Sequence, residues 1–235
     1  GASTSNHNYG LETITLPSTL KEYDAFSAKD LKRIDVAEGN PNYKSVDGVL
    51  YNKEMTELIT LPASADMEEY TTPDSVTKVL GIAMDYIKTI KKITIADSVK
   101  TLELGAVAST TGLEELVIGS GIEEMGDVVV RDCYGLKKLT IKASCRYSAE
   151  SFSHCPDLEE VYIEGTPTAF GGKVLTDLPS LKAFHVSNSD TLFSKDGVLY
   201  RYKGTGGSVI SKYPANKAGD TFILSEDDKG FDAYA

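Results

Sequence analysis

Apolar residues recur along the chain in a hexamer with the pattern Leu-x-x-apolar-x-apolar. The first, fourth and sixth positions are apolar and the others are mostly polar, which is typical of a strand with one buried face. Seven good copies begin at Leu11, Leu31, Ile90, Leu113, Leu136, Leu158 and Leu181. The last five copies begin 23, 23, 22 and 23 residues apart. This spacing predicts a repeat architecture in which each period forms one turn of a solenoid.

A gap of 59 residues between Leu31 and Ile90 interrupts the series. One period before Ile90 lies Met67, where MEEYTT is a degraded copy of the hexamer. The remaining part of the gap contains DGVLY at 47–51, and the same five residues return at 196–200. Asp-Gly favours the positive φ values of a two-residue turn, and Val-Leu-Tyr is prone to form a strand. Each copy therefore predicts a β-hairpin, which we interpret as an insertion into one enlarged turn.

The second position of the hexamer carries a charge whose sign alternates from one turn to the next. With MEEYTT and a ninth copy, GDTFIL from Gly219, the residues are Glu12, Lys32, Glu68, Lys91, Glu114, Lys137, Glu159, Lys182 and Asp220. The third position alternates in the same way from Arg33 to Glu160. Neighbouring strands lie about 4.8 Å apart, so opposite charges on adjacent turns attract each other. We expect this charge ladder to help specify the order of the turns.

A second apolar pair follows the hexamer within each period, for example Val99 with Leu102. The period lies within the roughly 20 to 29 residues of leucine-rich repeats. We therefore predict an α/β leucine-rich-repeat solenoid, right-handed and strand-rich, with a parallel sheet on one face. Short strands and helical turns are expected elsewhere, together with the two hairpin insertions. Residues 1–10 are expected to form a flexible tail, and residues 11–235 a single solenoid of about nine turns with a truncated last turn.

Four features of the sequence are shared with a known repeat family. They are NPNYKSVDGVLYNKEMTELITLPA from Asn40, YTTPDSVTKV from Tyr70, the repeated hexamers, and the Cys-x-x-Leu junctions at Cys133 and Cys155. Together they resemble the BspA-like leucine-rich repeats of bacterial surface proteins, over nearly the whole chain from Leu11. The resemblance implies a cell-surface or extracellular bacterial protein with a role in adhesion or protein binding.

Composition and motifs argue against several other functions. Lys and Arg total 24 against 35 Asp and Glu, and the resulting net charge of −11 makes nucleic acid and anionic membranes poor partners. No apolar run approaches the roughly 20 residues of a membrane span, so we expect no membrane insertion. The sequence contains no Gly-x-Ser-x-Gly elbow, phosphate loop or His-Glu-x-x-His motif. We therefore expect no catalytic activity and no cofactor.

The cysteines and histidines do not form a recognisable metal or catalytic motif. Cys133, Cys145, His154 and Cys155 are clustered in sequence but contain no Cys-x-x-Cys pair, so we expect no metal site. Cys133 and Cys155 hold equivalent positions in consecutive turns, and we interpret them as buried structural thiols. Adjacent turns can bring Cα atoms within the disulfide range of about 4.4 to 6.8 Å, so a disulfide is the open alternative. His7 lies in the tail, and no histidine has an evident catalytic partner.

The fifth position of the hexamer points away from the core and is available to partners. Threonine is common there in the N-terminal half, but the position becomes apolar or aromatic at Val117, Tyr162 and His185. Aromatic side chains offer large contact areas at a small cost in entropy. We expect a partner to dock on this surface, flanked by Tyr200 and Tyr202 of the second hairpin. The partner is a protein, such as a host matrix or surface protein, or a glycan; a structural spacer that presents another domain is the third interpretation.

Overall fold

The computed structural model describes residues 10–24, 28–171, 173–219, 221–233 and 235. The predicted tail therefore lies outside the described residues except for Gly10, and so do His7 and Asp220. Within these ranges the regular structure consists of short strands and one 3-10 turn, at Gly204–Gly206. The expected α/β character with helical turns gives way to a fold with almost no helix.

The strands are two to five residues long and succeed one another at short intervals. In chain order they are β1 (Thr13–Leu16), β2 (Arg33–Val36), β3 (Tyr43–Val46), β4 (Val49–Asn52), β5 (Glu57–Thr60), β6 (Glu69–Thr71), β7 (Lys78–Val79), β8 (Met84–Asp85), β9 (Lys92–Ile95), β10 (Thr101–Leu102), β11 (Val107–Ala108), β12 (Glu115–Ile118), β13 (Glu124–Met125), β14 (Val130–Arg131), β15 (Lys138–Ile141), β16 (Phe152–Ser153), β17 (Glu160–Ile163), β18 (Leu175–Thr176), β19 (Ala183–Val186), β20 (Leu192–Lys195), β21 (Val198–Tyr202), β22 (Ser208–Lys212) and β23 (Asp228–Phe231). Such short strands gain stability from stacking on their neighbours rather than from their own length.

Successive turns contribute strands to three parallel arrays. The hexamers form the first, which we call the hexamer face and which runs β6, β9, β12, β15, β17, β19. The second sheet contains β5, β7, β10 and β13, with β4 and β3 added antiparallel at its edge. The third sheet runs β8, β11, β14, β16, β18. The chain is therefore a strand-rich solenoid of about nine turns.

The core lies between the three sheets and is built from the apolar hexamer positions. Ile93, Leu116 and Leu139 are consecutive fourth positions; they face one another in register and are fully buried. Val99 and Leu102, the predicted second apolar pair, are also fully buried. These side chains belong to one continuous cluster that extends from Val49 to Leu199.

The segments that close each turn bend through single residues with positive φ instead of helical turns. One set directly follows the strands of the third sheet and recurs once per turn: Tyr86, Ser109, Asp132, His154 and Asp177. A single residue with positive φ changes the direction of the chain sharply. The corner therefore needs no helical turn, and a two-residue strand precedes it. None of these residues is glycine; Asp132, His154 and Asp177 are of types that adopt this conformation more often than most, whereas Tyr86 gave no local signal.

The two DGVLY segments form antiparallel strand pairs with identical turns. Hairpin 1 pairs β3 with β4, and hairpin 2 pairs β20 with β21. Their turn residues, Asp47–Gly48 and Asp196–Gly197, all have positive φ, between 52° and 83°. Positive φ at both central residues is the geometry of a type I′ turn, for which Asp-Gly is a preferred sequence.

Each hairpin tip docks on the hexamer strand that precedes it in the chain. The Gly48 carbonyl accepts a hydrogen bond of 2.8 Å from the Ile34 N–H of β2, and the Gly197 carbonyl accepts one of 2.8 Å from the Phe184 N–H of β19. A Cβ on Gly48 would lie 2.7 Å from the Arg33 Cβ, so only glycine permits this approach. The tips therefore lie where a further hexamer strand would otherwise pair.

The two degraded hexamers have different outcomes. MEEYTT contains β6, which pairs in parallel with β9 and places Tyr70 opposite Ile93. The predicted ninth hexamer from Gly219 forms no strand in its described residues 221–224, and Ile223 is 84% exposed. Because the tip of hairpin 2 already covers β19, this segment has no edge of the hexamer face to join.

The three cysteines lie in the interior, as expected for Cys133 and Cys155. Cys133 and Cys155 follow β14 and β16, two adjacent parallel strands, and both are fully buried. Cys145 is also buried, and all three are free thiols. The Cys155 Sγ lies 3.3 Å from the Ser153 carbonyl oxygen, within hydrogen-bonding distance. The interpretation of Cys133 and Cys155 as buried thiols on neighbouring turns is confirmed.

We expect Cys133 and Cys155 to react slowly with iodoacetamide in the native protein and rapidly in urea. Both side chains are fully buried, so iodoacetamide reaches either thiol only when the surrounding turns open. Peptide mass spectrometry over a labelling time course measures both rates. Rapid native labelling of Cys133, or a mass two daltons low from a disulfide, would contradict the expectation.

Candidate functional site

The fifth positions of the hexamers form one column across the hexamer face. Each residue of this column is the registered partner of the next on the neighbouring strand; in order they are Thr71, Thr94, Val117, Thr140, Tyr162 and His185. The structure thus brings Val117, Tyr162 and His185 onto one surface. Thr140 is only 6% exposed, so Val117 is set apart from the two aromatic residues by a covered position.

Tyr162 and His185 form a stacked pair held by charged neighbours. Their ring centroids are 4.4 Å apart and the planes meet at 18°. The Tyr162 hydroxyl donates a 2.8 Å hydrogen bond to Glu160, and this bond raises the pKa of Tyr162. The Lys138 ammonium lies 4.9 Å from the centre of the Tyr162 ring. We call Lys138, Glu160, Tyr162 and His185 the aromatic cluster. Its two rings contact each other without a partner, and a surface that needs little rearrangement binds at a lower entropic cost.

The predicted charge ladder flanks this column. The Lys91 and Lys137 ammonium groups lie 3.1 and 3.0 Å from the Glu114 carboxylate, one on the turn before and one on the turn after. The hydrogen bonds from Lys137 and Lys91 lower the pKa of Glu114. Further pairs of the second position join Lys32 to Glu12 at 2.9 Å and Lys182 to Glu159 at 2.8 Å. These ion pairs neutralise several of the charges that flank the fifth column.

We expect Lys137→Glu to lower the urea midpoint more than the same reversal at an isolated lysine. The variant loses the pair with Glu114 and places three carboxylates on consecutive turns, Glu114, residue 137 and Glu159. The matched control is Lys44→Glu on the exposed edge strand β3, because the Lys53 ammonium donates to the Asn40 carbonyl and is not isolated. Equal midpoints for the two variants would mean that the ladder does not stabilise the stack.

The two tyrosines of hairpin 2 occupy different environments. Tyr200 is only 2% exposed and stacks on Phe193 with centroids 4.9 Å apart, so the expectation that it flanks a binding surface is not met. It belongs to a small core with Val198 of the same strand and Ile210, its registered partner on β22. Tyr202 is 49% exposed, and of the two only its ring is accessible to a partner.

An open groove beside Tyr202 was not visible in the sequence. It has a volume of about 880 Å³ and lies between residues 167–170 of the solenoid and residues 189–192 before hairpin 2. Phe170, Asp190 and Tyr202 are among the side chains that line it. Because its two walls are about twenty residues apart in the chain, no local motif could have indicated it.

The described ranges contain no group of three or more His, Cys, Asp or Glu side chains placed to hold a metal ion. The His154 Nε2 lies 3.0 Å from the Asp177 carboxylate, and both side chains are exposed. In the described portion of the chain, no helix has the length and apolar character needed to cross a bilayer.

Stacked hexamer strands, a buried apolar ladder and an outward column of side chains define a leucine-rich-repeat solenoid. Residues 63–182 match the family model described as BspA type leucine rich repeat region, in six copies. The match covers just over half of the chain, and the chain belongs to this family. None of the curated proteins compared with the chain matches it.

Solved structures of bacterial repeat proteins share the fold. A leucine-rich repeat protein from Eubacterium ventriosum is 29% identical, with a TM-score of 0.67 over 76% of this chain and 49% of that chain. The pneumococcal vaccine antigen PcpA is 26% identical, with a TM-score of 0.59 over 76% of this chain and 51% of that chain. A leucine rich cell surface protein from Faecalibacterium prausnitzii, 23% identical, has a TM-score of 0.66 over 77% of this chain and 49% of that chain. The chain thus spans about half the length of these structures.

Proposed function

We propose that the chain is a non-enzymatic cell-surface module that binds a protein partner in adhesion. The observation that carries the proposal is the stacked Tyr162–His185 pair, which ends the outward column of the hexamer face. Solenoids present extended surfaces that suit protein recognition, and leucine-rich repeat proteins are generally protein-binding or surface proteins. Interface energies concentrate in a few aromatic and charged residues, and the aromatic cluster supplies both kinds.

Glycan binding is the second candidate, and the groove beside Tyr202 favours it. An exposed ring next to the Asp190 carboxylate combines a flat apolar surface with a hydrogen-bond acceptor. Sugar rings offer apolar faces and hydroxyl groups that such a site can contact. A purely structural spacer, the third interpretation, would need neither the aromatic cluster nor this groove.

The same proposal includes the location and the architecture of the module. The likeness to PcpA, described as a vaccine antigen, and the family membership support a place on the bacterial surface. Residues 11–235 are proposed to form a single right-handed solenoid, because parallel crossovers are right-handed in nearly all proteins. The hairpins are proposed to be insertions into enlarged turns of this solenoid.

Binding measurements on immobilised fibronectin, laminin and collagen, together with a glycan array, test the proposal. For a protein ligand, Tyr162→Ala with His185→Ala is expected to weaken affinity at least tenfold, about 1.4 kcal/mol. The matched control is Thr71→Ala with Thr94→Ala, at the other end of the same column. If a well-folded Tyr162/His185 variant binds with unchanged affinity, this surface is not the binding site. Glycan binding that is lost in Tyr202→Ala would favour the second candidate.

A further inference from the structure

The hexamer strands are interrupted between β2 and β6. β2 pairs with β1, β6 pairs with β9, and among the described residues no pairing joins β2 to β6. The tip of hairpin 1 covers β2, because Ile34 donates to the Gly48 carbonyl and its own carbonyl accepts the Ser45 hydroxyl. A cleft of about 880 Å³ lies between this tip and β6. This volume is in the range of ordinary ligand clefts.

The outer edge of β6 faces the cleft with its hydrogen-bonding groups open. On the inner side, the Glu68 carbonyl accepts from Lys91 at 2.7 Å and the Thr72 N–H donates to Thr94 at 3.0 Å. Backbone groups alternate in direction along a strand, so those of Glu69 and Thr71 point away from β9. In the described part of the chain, the N–H and C=O groups of Glu69 and Thr71 form no backbone hydrogen bond. An open strand edge is a template for a further strand.

Two buried tyrosines line the cleft and leave one hydroxyl proton free. Tyr51 and Tyr70 are 2% and 7% exposed, and their hydroxyl oxygens are 2.9 Å apart. One proton is used in this mutual bond, and the other finds no acceptor among the residues the structure describes. Burial raises the pKa of both phenols, so both stay protonated as donors. The two phenols therefore form a neutral, largely buried wall of the cleft.

The charges around the cleft leave it acidic. Its cations are already engaged, since Lys32 pairs with Glu12 at 2.9 Å and Arg33 pairs with Asp35. Asp47, Asp66 and Glu69 also line it, and within the described ranges none of them has an ion-pair partner. The uncompensated carboxylates favour a cationic occupant.

We propose that this cleft binds an extended peptide segment carrying an arginine or lysine, which adds as a strand to the outer edge of β6. Its backbone pairs with Glu69 and Thr71, and its basic side chain lies among Asp47, Asp66 and Glu69. Strand addition of this kind takes affinity from the main chain and specificity from side-chain contacts. The site lies on a different turn from the aromatic cluster and does not rest on the proposed function.

The probe for the test is a fluorescein-labelled peptide, Thr-Thr-Val-Arg-Val-Thr-Thr, acetylated and amidated at its ends, in fluorescence anisotropy. Two altered peptides separate the contributions: one is N-methylated at both valines, and the other has glutamate in place of arginine. We expect saturable binding of the parent peptide and at least a tenfold loss with each altered peptide. Hydrogen exchange of the Glu69 and Thr71 amides is expected to slow when the parent peptide binds.

Protein variants locate the site. Asp66→Asn with Glu69→Gln is expected to weaken the parent peptide about tenfold. The charge-matched control, Glu124→Gln with Asp127→Asn on a different turn, is expected to bind normally. Several outcomes overturn the proposal: equal binding of the N-methylated peptide, equal competition by arginine amide alone, equal affinity of the two variants, or no saturable binding up to about 1 mM. Self-association of the protein through this edge without peptide binding also overturns it.

Discussion

Replacing Gly112 with alanine is expected to lower the free energy of unfolding by about 3 kcal/mol. A Cβ at this position would lie 1.9 Å from the carbonyl oxygen of Lys88 and 2.3 Å from its carbon. Both atoms are backbone of the preceding turn, so no side-chain rotation relieves the clash. The two turns must separate locally, which also strains the hydrogen bond from the Gly112 N–H to the Ile87 carbonyl.

Gly171→Ala is the control, because no heavy atom lies within 4 Å of a Cβ built there. Urea unfolding followed by circular dichroism gives both free energies. If Gly112→Ala unfolds at the same midpoint as Gly171→Ala, the close approach between turns contributes little to the stability of the solenoid.

A second large effect is expected for Phe152→Ala, with a loss of about 4 kcal/mol. Phe152 lies in β16, is fully buried, and contacts Tyr147 edge-on with centroids 6.0 Å apart. Tyr147 in turn contacts Phe170 at 6.1 Å. Next to Tyr147, an isolated parallel bridge joins Arg146 to Ala169. Aromatic side chains fill this part of the interior, so truncation leaves a cavity that the stacked turns cannot close.

The control for this variant is Phe231→Ala on β23, where the ring is 60% exposed. Its midpoint is expected to stay close to that of the parent protein. Phe152→Leu should fall between the two, because it retains part of the buried volume. A Phe152→Ala protein as stable as the Phe231→Ala protein would contradict the role of this aromatic core.

The hexamer face was predictable because its information is local. Three apolar residues in six define a buried strand face, and the 23-residue period then places Leu116 beside Ile93 and Leu139. The alternating charges anticipated the contacts of Glu114 with Lys91 and Lys137 for the same reason. A repeat makes long-range contacts readable, since each one recurs at a fixed interval.

The corners and the ends of the stack were not predictable in this way. Tyr86 adopts positive φ under the constraint of the stacked turns, because a tyrosine has no local preference for that conformation. GDTFIL carries the hexamer pattern but lacks an open edge to join. Its failure to form a strand depends on the contact between Gly197 and Phe184 elsewhere.

In the candidate site, too, some features follow from local sequence and others depend on distant segments. The column containing Val117, Tyr162 and His185 follows from the period and the strand register. The burial of Tyr200 depends on Ile210, and the grooves depend on pairs of distant segments, so hairpin propensity alone could not distinguish Tyr200 from Tyr202.

The docking of hairpin 2 on β19 also bears on polymerisation. A solenoid whose last strand is uncovered can stack head to tail on another copy, and such a contact does not close but grows into a filament. Here the Phe184 N–H of β19 is already bonded to the Gly197 carbonyl at the tip of the hairpin. The hairpin therefore occupies the edge of β19 to which the first strand of a second copy would otherwise add.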